Sequence, residues 1–218
     1  MKRIAAILMA AVLVGCSAVA DLGQESVYHQ ARAATYALVV DKTKAFCSSV
    51  LVADEVVVTA AHCVDAEQIP MDRASVRGKD GKNYVFTVKF KSVASDVAVL
   101  SVPGLKGITA PIAPFDAKQD EYAIVVGYPL GSRQYVTEGR IQGKYTSEEM
   151  ERTLATPAII FGNSGGPLLV YRNQRWEVVG IASAMPCIPV GYGGQCINHM
   201  GLYATWQSVV DAVHAKAQ

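Results

Sequence analysis

The sequence predicts an all-β protein: two antiparallel six-stranded β-barrels followed by a C-terminal helix. Three observations predict it. Short runs rich in Val, Thr and aromatic residues recur along the chain, and a Pro/Gly-punctuated stretch at 103–114 divides them into two sets. The hydrophobic period changes to that of a helix only near the end. The 218 residues are 51% apolar and 18% charged, enough material for a sizeable core and a poor composition for extensive disorder. Lys+Arg 20 against Asp+Glu 19, with no basic run, leaves no electrostatic footprint for nucleic acid.

In chain order, residues 1–16 read as an export signal: Lys2 and Arg3, an apolar stretch over 4–14, then small residues. That stretch is too short to span a bilayer, which takes ~20 apolar residues. Its end, Leu13-Val14-Gly15-Cys16, looks like a bacterial lipobox, so Cys16 is expected to carry lipid. An outer-membrane lipoprotein facing the periplasm is the expected address, with an extracellular one as alternative. Residues 17–33 are polar and read as a tether to a folded body over 34–218.

The first barrel is expected over 34–103, from runs at 35–40, 46–52, 56–59, 76–77, 84–91 and 97–102, with turn residues at Asp41-Lys42 and Ala53-Asp54. The second is expected over 118–204, from runs at 122–127, 134–143, 167–171, 176–183 and 199–204. Trp206, Val209, Val210 and Val213 then fall on one face of a helix over about 205–216.

The cysteines are Cys16, Cys47, Cys63, Cys187 and Cys196. With Cys16 lipidated, four remain for an oxidising compartment, and of their three connectivities spacing favours Cys47–Cys63 and Cys187–Cys196. No C-x-x-C spacing supports a zinc site.

Chemistry concentrates in three motifs. Gly162-Asn163-Ser164-Gly165-Gly166-Pro167 sets a serine among glycines before an apolar run, the layout of an exposed nucleophile. The backbone N–H groups of Gly162 and Ser164 are candidates to face a developing oxyanion. Thr59-Ala60-Ala61-His62-Cys63 places His62 as a candidate base at the end of a strand. Ser95-Asp96-Val97-Ala98-Val99-Leu100 supplies an acid that burial would penalise unless it is hydrogen-bonded. Asp65, in a loop too close behind His62, and Asp80, in a polar turn, are weaker rivals for the orienting carboxylate. His29, His199 and His214 lack comparable surroundings.

In the order His62, Asp96, Ser164, the motifs closely resemble the trypsin/chymotrypsin-like serine proteases over about residues 33–216. The resemblance implies a chymotrypsin-like fold, a serine endopeptidase acting on protein or peptide substrates, a His62-Asp96-Ser164 triad, and no metal or organic cofactor. It also matches Cys47–Cys63 to the bridge beside the catalytic histidine. Asn163 stands where digestive members have an aspartate that pairs with a freed N-terminus, so no zymogen cleavage is expected. Val126-Gly127-Tyr128-Pro129-Leu130-Gly131 looks HtrA-like, without a downstream PDZ region. By family spacing Ala158 lies at the base of the primary specificity pocket, Ser183 and Met185 belong to the substrate-pairing strand, and a small or medium aliphatic residue is preferred. The alternatives are a pseudoprotease serving as a binding or adhesion module, and an esterase. The β order and the missing strand-to-helix elbow count against the esterase.

Overall fold

A computed structural model of the chain describes residues 27–42, 44–147, 150–190, 193–196 and 199–216. The export signal, Cys16 and residues 17–26 of the expected tether lie outside the described residues.

The folded body starts earlier than the sequence suggests. Residues 27–33 are not a tether. Helix α1 (His29–Ala34) packs Ala31 and Ala34 into the core with no exposed surface. Trp176 donates its backbone N–H to Gln30 Oε1 at 2.7 Å and its indole N–H to the Val27 carbonyl at 2.5 Å. The helix has no large apolar face; its alanines pack into the core over the strands Thr35–Val40, Lys44–Ala53 and Arg175–Ala184, and the Tyr28 and Trp176 rings beside it are 5.8 Å apart.

Strands β1 (Thr35–Val40), β2 (Lys44–Ala53), β3 (Val56–Thr59), β4 (Ala74–Arg77), β5 (Asn83–Tyr84), β6 (Thr87–Ser92) and β7 (Val97–Ser101) form a seven-stranded antiparallel sheet ordered β5-β4-β1-β2-β3-β7-β6. The expected single run at 84–91 is two strands. The chain leaves the ladder at Val85, which is 75% exposed, so that β5 pairs with β4 and β6 with β7. The second half is a closed six-stranded barrel of β8 (Tyr122–Gly127), β9 (Tyr135–Ser147), β10 (Met150–Ala155), β11 (Pro167–Arg172), β12 (Arg175–Ala184) and β15 (Gly201–Ala204). A hairpin of β13 (Cys187–Val190) and β14 (Gly193–Cys196) projects from it, its ends joined by a Cys187–Cys196 disulfide.

The two halves share a core. Along β8, Ile124 and Val126 pack with Leu38, Leu51 and Leu100 of the first half, while Ala123 and Val125 pack with Ile141, Leu168 and Tyr203 of the second. The period-two alternation of one strand thus serves both clusters. Helix α2 (Trp206–Ala215) starts at Thr205, whose hydroxyl accepts the Ser208 N–H, a cap worth ~1 kcal/mol. It buries Val209 and Ala212, and Trp206 donates to the Ala113 carbonyl at 2.8 Å.

Candidate active site

His62 lies in the 3-10 turn Ala61–Val64 at the end of β3. The antiparallel pairing of Thr59 with Ala98 sets that turn beside the turn leading into β7, and Asp96 sits there. Its φ of +53 closes the Val93–Asp96 turn, a left-handed conformation that Asp tolerates better than most residues. The Asp96 carboxylate accepts the His62 backbone N–H at 3.0 Å and lies 2.9 and 3.0 Å from ring Nδ1. The Ser183 hydroxyl donates to Asp96 Oδ2 at 2.6 Å.

Burial works to raise the Asp96 carboxyl, but the His62 ring, the Ser183 hydroxyl and the His62 backbone N–H outweigh it and hold the group below the ordinary carboxylate range. An ionised Asp96 only accepts, so Nδ1 carries the imidazole proton and Nε2 is left as the basic nitrogen. A Cys47–Cys63 disulfide anchors the turn to β2. Cys47, His62 and Cys63 have metal-ligand spacing, but the two sulfurs are bonded to each other and offer no thiolate.

Ser164 precedes β11 in a loop clamped from both halves. Its carbonyl accepts the Ser48 N–H at 2.7 Å, and Gly165 and Gly166 exchange hydrogen bonds with Ala182 of β12 at 2.8 Å. Gly165, at φ +81, touches β2 and β3 so closely that a Cβ would collide with Thr59 Oγ1 and the Ser48 carbonyl. Glycine is required there.

Two peptide planes beside Ser164 are fixed by their carbonyls. The Phe161 carbonyl accepts the Leu130 N–H at 2.6 Å and the Asn163 carbonyl accepts the Gly166 N–H at 2.8 Å. In a trans peptide the N–H points opposite to the C=O, so the Gly162 and Ser164 N–H groups are turned the other way. Among the described residues neither N–H, nor the Ser164 hydroxyl, has a protein partner. His62, Gly162 and Ser164 line one cleft of about 440 Å³.

The trypsin-like peptidase domain matches residues 47–181, more than half of the chain and the stretch that holds all three motifs. The chain belongs to the trypsin-like peptidase family. It is 31% identical over 150 residues to the putative serine protease HhoA of Synechocystis, covering 63% of this chain and 36% of that one. It is 32% identical over 136 residues to the periplasmic serine endoprotease DegP of Salmonella typhimurium, covering 59% and 27%. The chain therefore spans about a third of the length of these curated relatives. The active form of the Rv3671c protease of M. tuberculosis superposes with a TM-score of 0.68 at 20% identity, covering 87% of this chain and 83% of that one, which speaks for the fold.

Within this trypsin-like frame the specificity residues separate. Ser183 and Met185 line the cleft with Ile159, Ile160 and Phe161. Ala158 does not: it lines a second pocket behind the Ser164 loop, with its carbonyl held by the Thr137 hydroxyl at 2.8 Å. Ile159 and Ile160, the two residues after it, both line the cleft.

Ser48 was not among the expected site residues. It is fully buried; its hydroxyl donates to the Gly162 carbonyl at 2.7 Å and accepts the Tyr128 N–H at 2.9 Å, and its own carbonyl accepts the Thr59 hydroxyl at 2.8 Å. Its N–H and its hydroxyl join the first half to the candidate oxyanion loop, and its carbonyl is held within the first half. The one sequence signal was a pair of serines, Ser48-Ser49, inside an otherwise apolar strand. Of the rivals, Asp65 meets Lys91 at 3.5 Å and Asp80 pairs with Lys82 and Tyr84, both away from His62.

Proposed function

We propose that this trypsin-like chain is a serine endopeptidase using Ser164 as nucleophile, His62 as general base and acid, and Asp96 as the group that holds the imidazole. The observation that carries the reading is the Asp96 carboxylate, bonded to both the backbone and the ring of His62, in a cleft shared with Ser164 and two unpartnered N–H groups. Ser164 Oγ attacks the scissile carbonyl while His62 Nε2 takes its proton. The Gly162 and Ser164 N–H groups receive the oxyanion, and the imidazolium, steadied by Asp96, returns the proton to the leaving amine. Water then hydrolyses the acyl-enzyme by the same steps.

Ile159, Ile160, Phe161 and Met185 favour an aliphatic side chain before the scissile bond, and among the described residues the cleft lining holds no carboxylate that would draw a basic one. Asn163 carries no charge to pair with a new N-terminus, which supports an active site that forms without zymogen cleavage. The leader and Cys16 support export and a lipid tether, in keeping with a relative named as periplasmic.

Covalent labelling of the full chain by a fluorophosphonate tests this directly. Labelling should vanish in Ser164→Ala and fall by ~10⁴ or more in His62→Ala. Folded parent protein that takes no label would sink the reading and leave a binding module on this fold. Incorporation of labelled palmitate in cells, lost in Cys16→Ser, tests the tether, and a peptide-library profile tests the aliphatic preference.

A further inference from the structure

The end of the second barrel away from the cleft carries a row of aromatic side chains that the catalytic chemistry does not use. The register that sets Val170 opposite Ala123 continues to Tyr171 of β11 beside Tyr122 of β8, and Tyr171 pairs with Trp176 of β12. The Tyr171 and Trp176 rings are 5.1 Å apart. Tyr28 closes the row from the α1 side, its hydroxyl 3.1 Å from that of Tyr122. Trp176 is buried beneath them, while Val27, Tyr122 and Tyr171 are 43%, 38% and 49% exposed. A tyrosine joins an apolar ring to a polar hydroxyl, so a group of them suits a boundary between an apolar phase and water.

The charges at this end offset one another. Arg172 pairs with Glu121 at 2.6 Å and Arg175 with the buried Glu177 at 2.7 Å. On β9, Glu138 accepts the Tyr28 hydroxyl at 2.7 Å and stands two residues from Arg140, on the same face of the strand. A strongly charged partner finds no complement there.

The course of the chain points to what lies against this face. The described body begins at Val27, whose carbonyl holds the Trp176 indole, so the segment from Cys16 leads to the edge of the row. Residues 17–26 reach at most ~40 Å even fully extended. On the lipid-tether reading above, the bilayer is kept within that distance of Val27, and a contact too weak to hold alone becomes intramolecular.

The cleft lies at the other end of the same strands. β8 runs from Tyr122 to Gly127, which packs against Asn163, and β11 runs from Pro167, just after Ser164, to Arg172. β12 runs from Arg175 to Ser183 and Ala184 in the cleft wall. At ~3.4 Å per residue the row and the cleft are ~15–25 Å apart.

We propose that, with Cys16 anchored, the chain rests on the lipid–water interface of the bilayer through Val27, Tyr122 and Tyr171 and holds its cleft open to the aqueous side. Given the peptidase reading, this sets a substrate class: soluble or unfolded exported polypeptides, not segments embedded in the bilayer.

The test supplies the anchor chemically, so it does not depend on lipidation in the cell. The chain from Cys16 onward keeps every described residue, and its other cysteines are paired in disulfides. Carrying Ser164→Ala, it is coupled through Cys16 to a maleimide-headgroup lipid in vesicles of phosphatidylethanolamine and phosphatidylglycerol. Lipids brominated near the headgroup quench any tryptophan that reaches them. Tyr171→Trp should be quenched at least about threefold more than Phe161→Trp at the cleft end, each corrected for the native tryptophans. Adding Tyr122→Ser to Tyr171→Trp should reduce the quenching, and raising the salt should not, because no charge attraction is being screened. These variants alter exposed side chains, and a melting curve checks that each is folded.

Equal quenching at both positions, none at either on vesicles that carry the protein, or loss of quenching in high salt would overturn the proposal. So would a dimer of the uncoupled chain that Tyr171→Ser dissociates, which would assign the face to a second copy. In the parent, coupled and free chains should be labelled equally fast by a soluble fluorophosphonate; marked slowing on vesicles would put the cleft against the bilayer and overturn the orientation. A parent that never labels overturns the peptidase reading, and absence of palmitate from Cys16 in cells overturns the tether reading. The quenching result stands in either case.

Discussion

Replacing Ser48 by Ala separates a structural from a catalytic role for the joint between the two halves. The substitution keeps both backbone bonds, from its N–H to the Ser164 carbonyl and from Thr59 to its carbonyl. It deletes the hydroxyl that serves the Gly162 carbonyl and the Tyr128 N–H. Each of those groups then lacks a partner where water is excluded or restricted, at ~1–2 kcal/mol apiece, so a loss of about 2–4 kcal/mol is expected. Against a typical domain stability of ~5–15 kcal/mol the variant stays folded. The second effect is on rate. With its carbonyl released, the Gly162–Asn163 peptide is held only by the Asn163 N–H to Ile160 carbonyl bond, and the adjoining Gly162 N–H is less firmly aligned. Complete loss of one oxyanion donor costs ~10²–10³ in kcat, and misalignment should cost about tenfold. The assay pairs urea unfolding with second-order fluorophosphonate labelling of the folded fraction. Ser49→Ala is the control: an equally buried serine whose hydroxyl goes to the Tyr36 carbonyl at 3.3 Å, away from the cleft. If Ser48→Ala loses the expected stability yet labels as fast as Ser49→Ala, the hydroxyl has no part in aligning the loop.

Four further outcomes are expected. Asp96 binds its proton less tightly in the folded than in the unfolded state, so its contribution is complete above the unfolded carboxyl range near ~4 and is lost as pH falls below it; thermal unfolding from pH 6 to 2 should show the loss, which should be smaller and end at higher pH in Ser183→Ala. Lys79 donates to the Arg32 and Thr35 carbonyls and lies over the Tyr36 and Tyr128 rings, its ammonium tucked in although its stem is exposed, and burial pushes it down to about 8 with help from the Arg32 charge. The unfolded chain then holds a proton that the folded chain has released, so stability should rise between about pH 8 and ~10.4, a limb that Lys79→Met should remove in pH-dependent urea unfolding. Gly165→Ala should cost ~3 kcal/mol or more, or prevent folding, because its φ of +81 and the Thr59 and Ser48 contacts both refuse a Cβ; soluble yield and melting temperature report it. Cys47→Ala with Cys63→Ala opens a link across a sequence separation of 16 and should lower stability by about 3 kcal/mol in chemical denaturation, with labelling reduced as the His62 turn loosens.

The site was more legible than the frame because its chemistry leaves local marks. Gly165 has to be glycine, His62 sits against a cysteine that pins its turn, and Asp96 opens a strand of buried Val and Leu; each constraint is written in adjacent residues. The α2 helix was legible through its period. What stayed hidden depends on distant partners. The β10 strand showed no apolar alternation because its buried positions are filled by Arg152, Thr153 and Ala155. Arg152 is tolerated inside near the Asp96 charge, which opposes the lowering that burial imposes on it. The α1 helix was hidden because Ala31 and Ala34 are small, and strands far apart in sequence, β1, β2 and β12, make them core.

The shared core bears on where this molecule can be adjusted. His62 and Asp96 come from the first half, Ser164 and Ser183 from the second, so any hinge between the halves would dismantle the site. Such a hinge is disfavoured here. β8 sends alternate side chains into both clusters, Ser48 ties β2 to the loop carrying Gly162, and Trp176 of β12 is bonded to the segment at α1. Separating the halves would expose apolar surface at about 25 cal/mol per Å² and break those bonds together. The scope for change is therefore in segments 128–131 and 160–163, which carry positive φ at Leu130, Gly131 and Gly162 and expose Leu130 and Phe161 to solvent. Turning one peptide there costs a single hydrogen bond, from Leu130 to Phe161, yet reverses the Gly162 N–H that the proposed mechanism turns toward the oxyanion.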